Sequence, residues 1–329
     1  MKQLSTLFLC CVALGVNSQP PPLLQLIQTI PLPGVQGRFD HFAIDGKGHR
    51  LFVAALGNNT LEVLDVSAGT RIKSITGLHK PTGTFSLAEQ NRIAAANGDD
   101  GALSIFDGIS YELVNRVGSL DDADNVRYDA RTKLIYVGFT DGALGIIDSA
   151  TMKQTGSIKL AAHPESFQLE ANGPRIFVNV PGAKQVAIVD REKRTVTATW
   201  PMTQFKANFP MALDEARHRL FIGCRQPARL VILDTATGQP MANLEISGDT
   251  DDLFYDAKRQ RVYVSCGEGF IDMIQRRDGD RFERQARLAT RAGARTSFFS
   301  PELDRLYLAV PQRNGRDAEL RVYQPESVK

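Results

Sequence analysis

A short apolar string of β-favouring residues recurs seven times along this chain, as Leu51-Phe52-Val53, Ile93-Ala94-Ala95, Leu134-Ile135-Tyr136-Val137, Ile176-Phe177-Val178, Leu220-Phe221-Ile222, Val262-Tyr263-Val264 and Leu306-Tyr307-Leu308. The copies start about 42 residues apart, and a fixed period of that size is the mark of a repeat architecture. In the first five copies an aspartate stands at one constant distance after the string, as Asp65, Asp107, Asp148, Asp190 and Asp234. Each aspartate closes an alternating run such as Leu61-Glu62-Val63-Leu64 and opens a turn such as Asp234-Thr235-Ala236-Thr237-Gly238. A carboxylate that accepts backbone amides two residues on is a natural turn starter. A more polar alternating run follows each turn, for example Thr70-Arg71-Ile72-Lys73-Ser74-Ile75. Each repeat therefore reads as four short strands joined by tight turns.

Four-stranded units arranged around an axis leave only short, protected edges, provided that the ring closes. The last repeat reaches its third strand at Leu320-Arg321-Val322-Tyr323, while Leu24-Gln25-Leu26-Ile27-Gln28-Thr29-Ile30 stands before the first repeat without a partner. The expectation is an all-β chain forming a single seven-bladed β-propeller, with four antiparallel strands per blade. Residues 19–329 form the propeller, and the N-terminal strand, about residues 23–31, completes blade seven and closes the ring.

With Leu51-Phe52-Val53-Ala54, Arg261-Val262-Tyr263-Val264 and the Asp-x-x-x-Gly turns of Asp65 to Gly69 and Asp234 to Gly238 in view, the repeats resemble those of the YncE/YVTN-type seven-bladed propellers. The resemblance covers the chain from the N-terminal strand onward. It departs in two places: the Thr-Asn half of the family string is missing in every copy, and Arg276 stands in blade six where the aspartate is expected. The repeated tryptophan marks of WD40-like and quinone-binding propellers are absent, since Trp200 is the one tryptophan. The resemblance implies a non-enzymatic protein that uses one propeller face to bind a small molecule or another protein.

Residues 1–18 read as a signal peptide: Lys2, an apolar run from Leu7 to Val16, and a cleavage point near Ser18. Export to the periplasm or beyond follows as an expectation. Cys10 and Cys11 lie inside the apolar run without the small neighbour that lipoprotein processing requires, so no lipid anchor is expected. No other stretch approaches the twenty apolar residues of a membrane span. The formal net charge is +2, with the lysines and arginines scattered, which argues against a nucleic-acid partner. A monomer is expected. Cys224 and Cys266 hold equivalent places in neighbouring blades, too far apart for a disulfide, and are expected as two buried thiols. No Cys-x-x-Cys-His haem motif and no Gly-x-Ser-x-Gly elbow occurs. Asn97-Gly98-Asp99-Asp100-Gly101 resembles part of a calcium loop, but it lacks the distal glutamate and serves equally as a turn between strands.

Function on a propeller concentrates where loops converge on the axis. The segments leading into the innermost strands carry Asp40, His41, Asp124, Asn125, His163, Glu165, Lys206, Asn208, Asp251, Asp252 and Arg295. Distant in sequence, these side chains are expected to meet at the channel mouth and bind a polar ligand. A second reading makes the carboxylates ligands for a divalent cation such as calcium, in a lactonase-like, metal-assisted propeller hydrolase. No catalytic residue stands out, and no cofactor beyond that possible cation is expected.

Overall fold

The computed structural model describes residues 22–45 and 49–327. The signal-peptide reading, with Cys10 and Cys11, lies outside the described residues. Seven antiparallel four-stranded sheets follow one another along the chain. Blade one consists of Phe42–Ile44, Arg50–Ala55, Thr60–Asp65 and Thr70–Ile75, from the axis outward. The innermost strands of blades two to seven are Pro81–Leu87, Val126–Asp129, Phe167–Leu169, Lys206–Asp214, Thr250–Asp256 and Ser297–Ser300. In blade seven the fourth strand is Leu24–Leu32, which pairs antiparallel with Ala318–Pro325 from Leu24 opposite Pro325 to Leu32 opposite Ala318. The N-terminal strand thus closes the ring, as the repeat count predicts.

The recurring string is the second strand of each blade. Its residues do not alternate because both faces of that strand are covered by neighbouring blades, which makes a strand read as a continuous apolar run. Leu51, Phe52 and Val53 are fully buried, as are Ile176, Phe177 and Val178. The core accordingly lies between blades: Leu103 and Ile105 of blade two pack with Ile135 and Val137 of blade three. Across the closure, Ile30, Leu32 and Leu320 pack with Leu51 and Val53.

Each predicted turn aspartate does what its position implies. Asp65 Oδ1 accepts the amides of Ser67 and Ala68 at 2.9 and 2.8 Å. Asp107, Asp148, Asp190 and Asp234 repeat the pattern at 2.7–3.1 Å. Blade six solves its missing aspartate differently. Arg276 Nε donates to Asp280 Oδ1 at 2.6 Å, and Arg219 of blade five reaches the other oxygen of Asp280 at 2.6 Å. The carboxylate has moved four residues along and is held by arginines instead of amides.

Cys224 and Cys266 are buried free thiols, as their places in neighbouring blades predict. Burial in apolar surroundings pushes the Cys224 thiol up to about 12, so it stays protonated and inert. The segment Asn97-Gly98-Asp99-Asp100-Gly101 joins strands Arg92–Asn97 and Ala102–Asp107. There the Asn97 side chain is spent on Ala102 O and Ser104 Oγ. Among the described residues no helix is long and apolar enough to cross a membrane.

Candidate functional site

One local device builds the site. In blade one the amide of Asp40 donates to Ala54 O at 2.8 Å while the amide of Ala54 donates to His41 O at 3.2 Å, so two residues face one on the neighbouring strand. That is a β-bulge. Asp124 and Asn125 against Gly138, and Glu165 and Ser166 against Asn179, form the same pair of bonds in blades three and four. Register shifts at the same level mark blades two, five and six. In a regular strand, side chains on one face are two residues apart. With one residue inserted, the spacing becomes three, and Asp40, Asp124, Glu165 and Asp251 share the axial side with Ala43, Arg127, Gln168 and Phe254; Arg295 and Phe298 stand at the same spacing in blade seven. The acidic ring and the channel wall are thus two layers of the same strands.

The carboxylates of Asp40, Asp124, Glu165 and Asp251 come from four different blades and feel one another's charge. His41 Nε2 lies 3.5 Å from Asp40, and His41 Nδ1 lies 3.2 Å from Asp252. Asp252 also accepts the amide of Ser297 at 2.9 Å. Asp251 is held between Arg225 and Arg295, the latter at 2.9 Å. Arg295 also grips Asp249 at 2.7 Å. His163 Nδ1 lies 2.7 Å from Thr140 O, and because a carbonyl only accepts, Nδ1 carries a proton. Its Nε2 stands 3.8 Å from Asp124.

These contacts sort the groups by protonation. Burial pushes the Asp40 carboxyl up to about 7, against the pull of His41. Burial likewise lifts Glu165 to about 8, aided by the negative charge of Asp124. For Asp124 burial acts in the same direction, but the neighbouring imidazoles of His163 and His41 outweigh it, and its pKa falls below the usual value. Burial would strip the proton from His41, yet Asp40 and Asp252 overcome it and raise the imidazole to about 10. His163 rises to about 9, chiefly through the Asp124 carboxylate beside it. At neutral pH the ring therefore holds imidazolium–carboxylate and guanidinium–carboxylate pairs, with Glu165 mostly protonated and Asp40 about half so.

Most of the expected site residues meet. Two do not. Asn208 is fully buried and donates to Asn179 Oδ1 at 2.9 Å and to Gln185 O at 3.1 Å, pinning blade five to blade four. Asn125 is fully buried beside Asp124, with neither amide atom hydrogen-bonded among the described residues. Lys206 stays exposed at the rim.

Asp124, His163 and Glu165 are the group with donor atoms for a metal, all within 4.8 Å of one another. One imidazole and two carboxylates suit a zinc-type ion better than calcium, which takes six to eight oxygens.

The sequence reading missed what lies beneath the ring. A cavity of about 470 Å³ runs along the axis, sharing His41 and Asp252 with the charged layer. Its wall includes Phe85, Tyr128, Phe254 and Phe298. Phe85 and Tyr128 lie 5.1 Å apart between centroids, and Phe254 and Phe298 lie 5.7 Å apart. Arg225, which holds Asp251, was also missed; it extends the second strand of blade five just past Cys224.

No protein-family model and no curated protein matches the sequence. Solved structures do. A chain of the Kuenenia stuttgartiensis hydrazine synthase superposes with a TM-score of 0.73 at 14% identity, over 84% of this chain and 95% of that one. A chain of the mitotic checkpoint complex superposes with a TM-score of 0.78 at 13% identity, over 98% of both chains. The likeness is one of fold. It places this chain among seven-bladed, WD40-like β-propellers, at identities too low to carry a shared function.

Proposed function

We propose that this chain is an exported, monomeric binding protein of the YncE/YVTN-like kind, holding a small molecule in its axial channel without catalysis. The observation that carries the reading is the roughly 470 Å³ axial cavity, walled by aromatic rings and ending on paired charges. That is the usual make-up of a ligand site: a mostly apolar concavity of this size with a few fixed polar groups. The paired state of the ring speaks for recognition, because Asp251, Asp252 and Asp124 already have partners and serve as fixed hydrogen-bonding groups at one end of the ligand. Export rests on the character of residues 1–18.

Filling the channel tests the reading. Ala212 lines the cavity, and Ala212→Phe should leave the fold intact while abolishing the thermal shift produced by any channel ligand from a small-molecule library. Ligands that bind the variant as well as the wild type would mean that the channel is not the site, and would move attention to a protein partner on the propeller face. Mature protein recovered from a cell envelope or medium should begin at Gln19.

A second reading, lactonase-like hydrolysis, draws on the grouping of Asp124, His163 and Glu165, which could hold a divalent ion and its activated water. Turnover of aryl esters or lactones that depends on added zinc or calcium, and that disappears in His163→Gln, would replace the binding reading with this one.

A further inference from the structure

The channel wall contains a cation that the protein leaves unpaired. Arg127 lies on the innermost strand of blade three, and its side chain lines the cavity. Its Nη1 donates to the carbonyl of its neighbour Val126 at 2.8 Å, and its guanidinium lies 5.6 Å from the centroid of the Phe167 ring. Among the described residues no carboxylate pairs with it; Asp252 and Asp124 act on it only through their field. Both of those carboxylates have nearer partners, Asp252 in His41 and the Ser297 amide, Asp124 in His163. The arginines around the ring behave otherwise: Arg38, Arg225 and Arg295 each reach an aspartate. Burial without a partner pulls the Arg127 pKa below its usual value. A desolvated, unmatched guanidinium costs stability, and its planar fork is shaped for a carboxylate.

The wall around it is shaped as well. Phe85 and Tyr128 belong to blades two and three, Phe254 and Phe298 to blades six and seven. In a ring of seven, those blade pairs stand opposite each other across the axis. Between them the wall recedes at Ala43 of blade one and Ala212 of blade five. The space has aromatic rings on two opposite sides and one unpaired cation at its edge.

We propose that the channel takes a small, flat aromatic carboxylate, its ring system between the two aromatic pairs and its acid group on Arg127. The proposal rests on the reading that the channel is a ligand site, and names the class of ligand. The acidic ring opposes it only weakly, since Asp124, Asp251 and Asp252 are each paired with a cationic side chain.

The test uses 2-naphthoate and the neutral 2-naphthalenemethanol as probes on the full mature chain, by calorimetry and ligand-observed NMR. Wild type should bind the acid more tightly than the alcohol, by roughly 10-fold or more, the scale of a charged hydrogen bond. Arg127→Met should erase that preference and leave the alcohol unchanged, while Phe254→Ala should weaken both probes alike. Equal binding of the two probes by wild type, or a preference that survives in Arg127→Met, overturns the proposal and leaves the channel reading standing. Failure of wild type to bind either probe overturns the proposal, and the library screen with Ala212→Phe decides the channel reading on its own. Should Arg127→Met fail to fold, the wild-type comparison of acid with alcohol still decides.

Discussion

Asp234 and Asp40 are the same residue type in the same kind of repeat, yet the molecule treats them in opposite ways. Asp234, at the outer turn, accepts two backbone amides and the Thr237 hydroxyl at 3.0 Å each; against burial, which raises it, these bonds together with Arg219 bring its pKa down. Asp107 and Asp148, more open to water, fall for the same reason, with the backbone amides as the leading cause. Asp40, at the axis, loses water and gains no amide, and its pKa rises to about 7. The difference lies in the supply of donors. The turn provides hydrogen-bond donors along with the local backbone conformation, so its carboxylate finds its donors locally in each of the first five blades. The axial carboxylates depend on side chains from other blades, and their charge is therefore negotiable.

The largest test of that contrast is Asp251→Ala. Removing this carboxylate leaves Arg225 and Arg295 with only the more exposed Asp249 between them, and urea unfolding should show a loss of about 2 kcal/mol. A loss below that of a turn aspartate would mean that the axial pairs contribute little. Next comes Asp234→Ala, expected to cost about 1 kcal/mol, comparable to losing a helix cap, with Asp234→Asn costing less because the amide oxygen still accepts. A further effect, read along pH rather than from a single substitution, is electrostatic. Asp40, raised from 3.8 to about 7, keeps in the native state a proton that the unfolded chain has released, so stability falls as pH rises through that interval. His41, raised from 6.5 to about 10, contributes stability that is complete below pH 6.5 and lost as pH rises towards 10. Thermal melts should thus decline steadily from pH 4 to pH 10. Asp40→Asn should flatten the acid half of that decline and His41→Gln the alkaline half; an unchanged slope in both variants would remove the axial groups from the account.

How much could be read in advance follows from the same contrast. The blade count, the turn aspartates and the closure by Leu24–Leu32 are legible because each depends on neighbours along the chain, and a period exposes them. The acidic layer was legible as a set of polar segments leading into the inner strands, and most of its members do meet. Asn208 escaped that logic: it shares the segment type, but the bulge of blade five turns it to Asn179. Phe85, Arg127, Phe254 and Phe298 were overlooked because the inserted residue breaks the two-residue alternation by which a channel face is recognised. Counting three residues on from each ring member, rather than two, recovers Arg127 from Asp124, Phe254 from Asp251 and Phe298 from Arg295.

The seam of the ring has a mechanical side. Because Leu24 lies opposite Pro325, the two strands of the seam begin and end at the same corner of blade seven. A load that draws that corner apart meets the hydrogen bonds singly, in the manner of a zipper, whereas a load sliding the strands along their length would meet them all at once. A pull applied between Leu24 and Pro325 is therefore expected to open the seam of blade seven bond by bond.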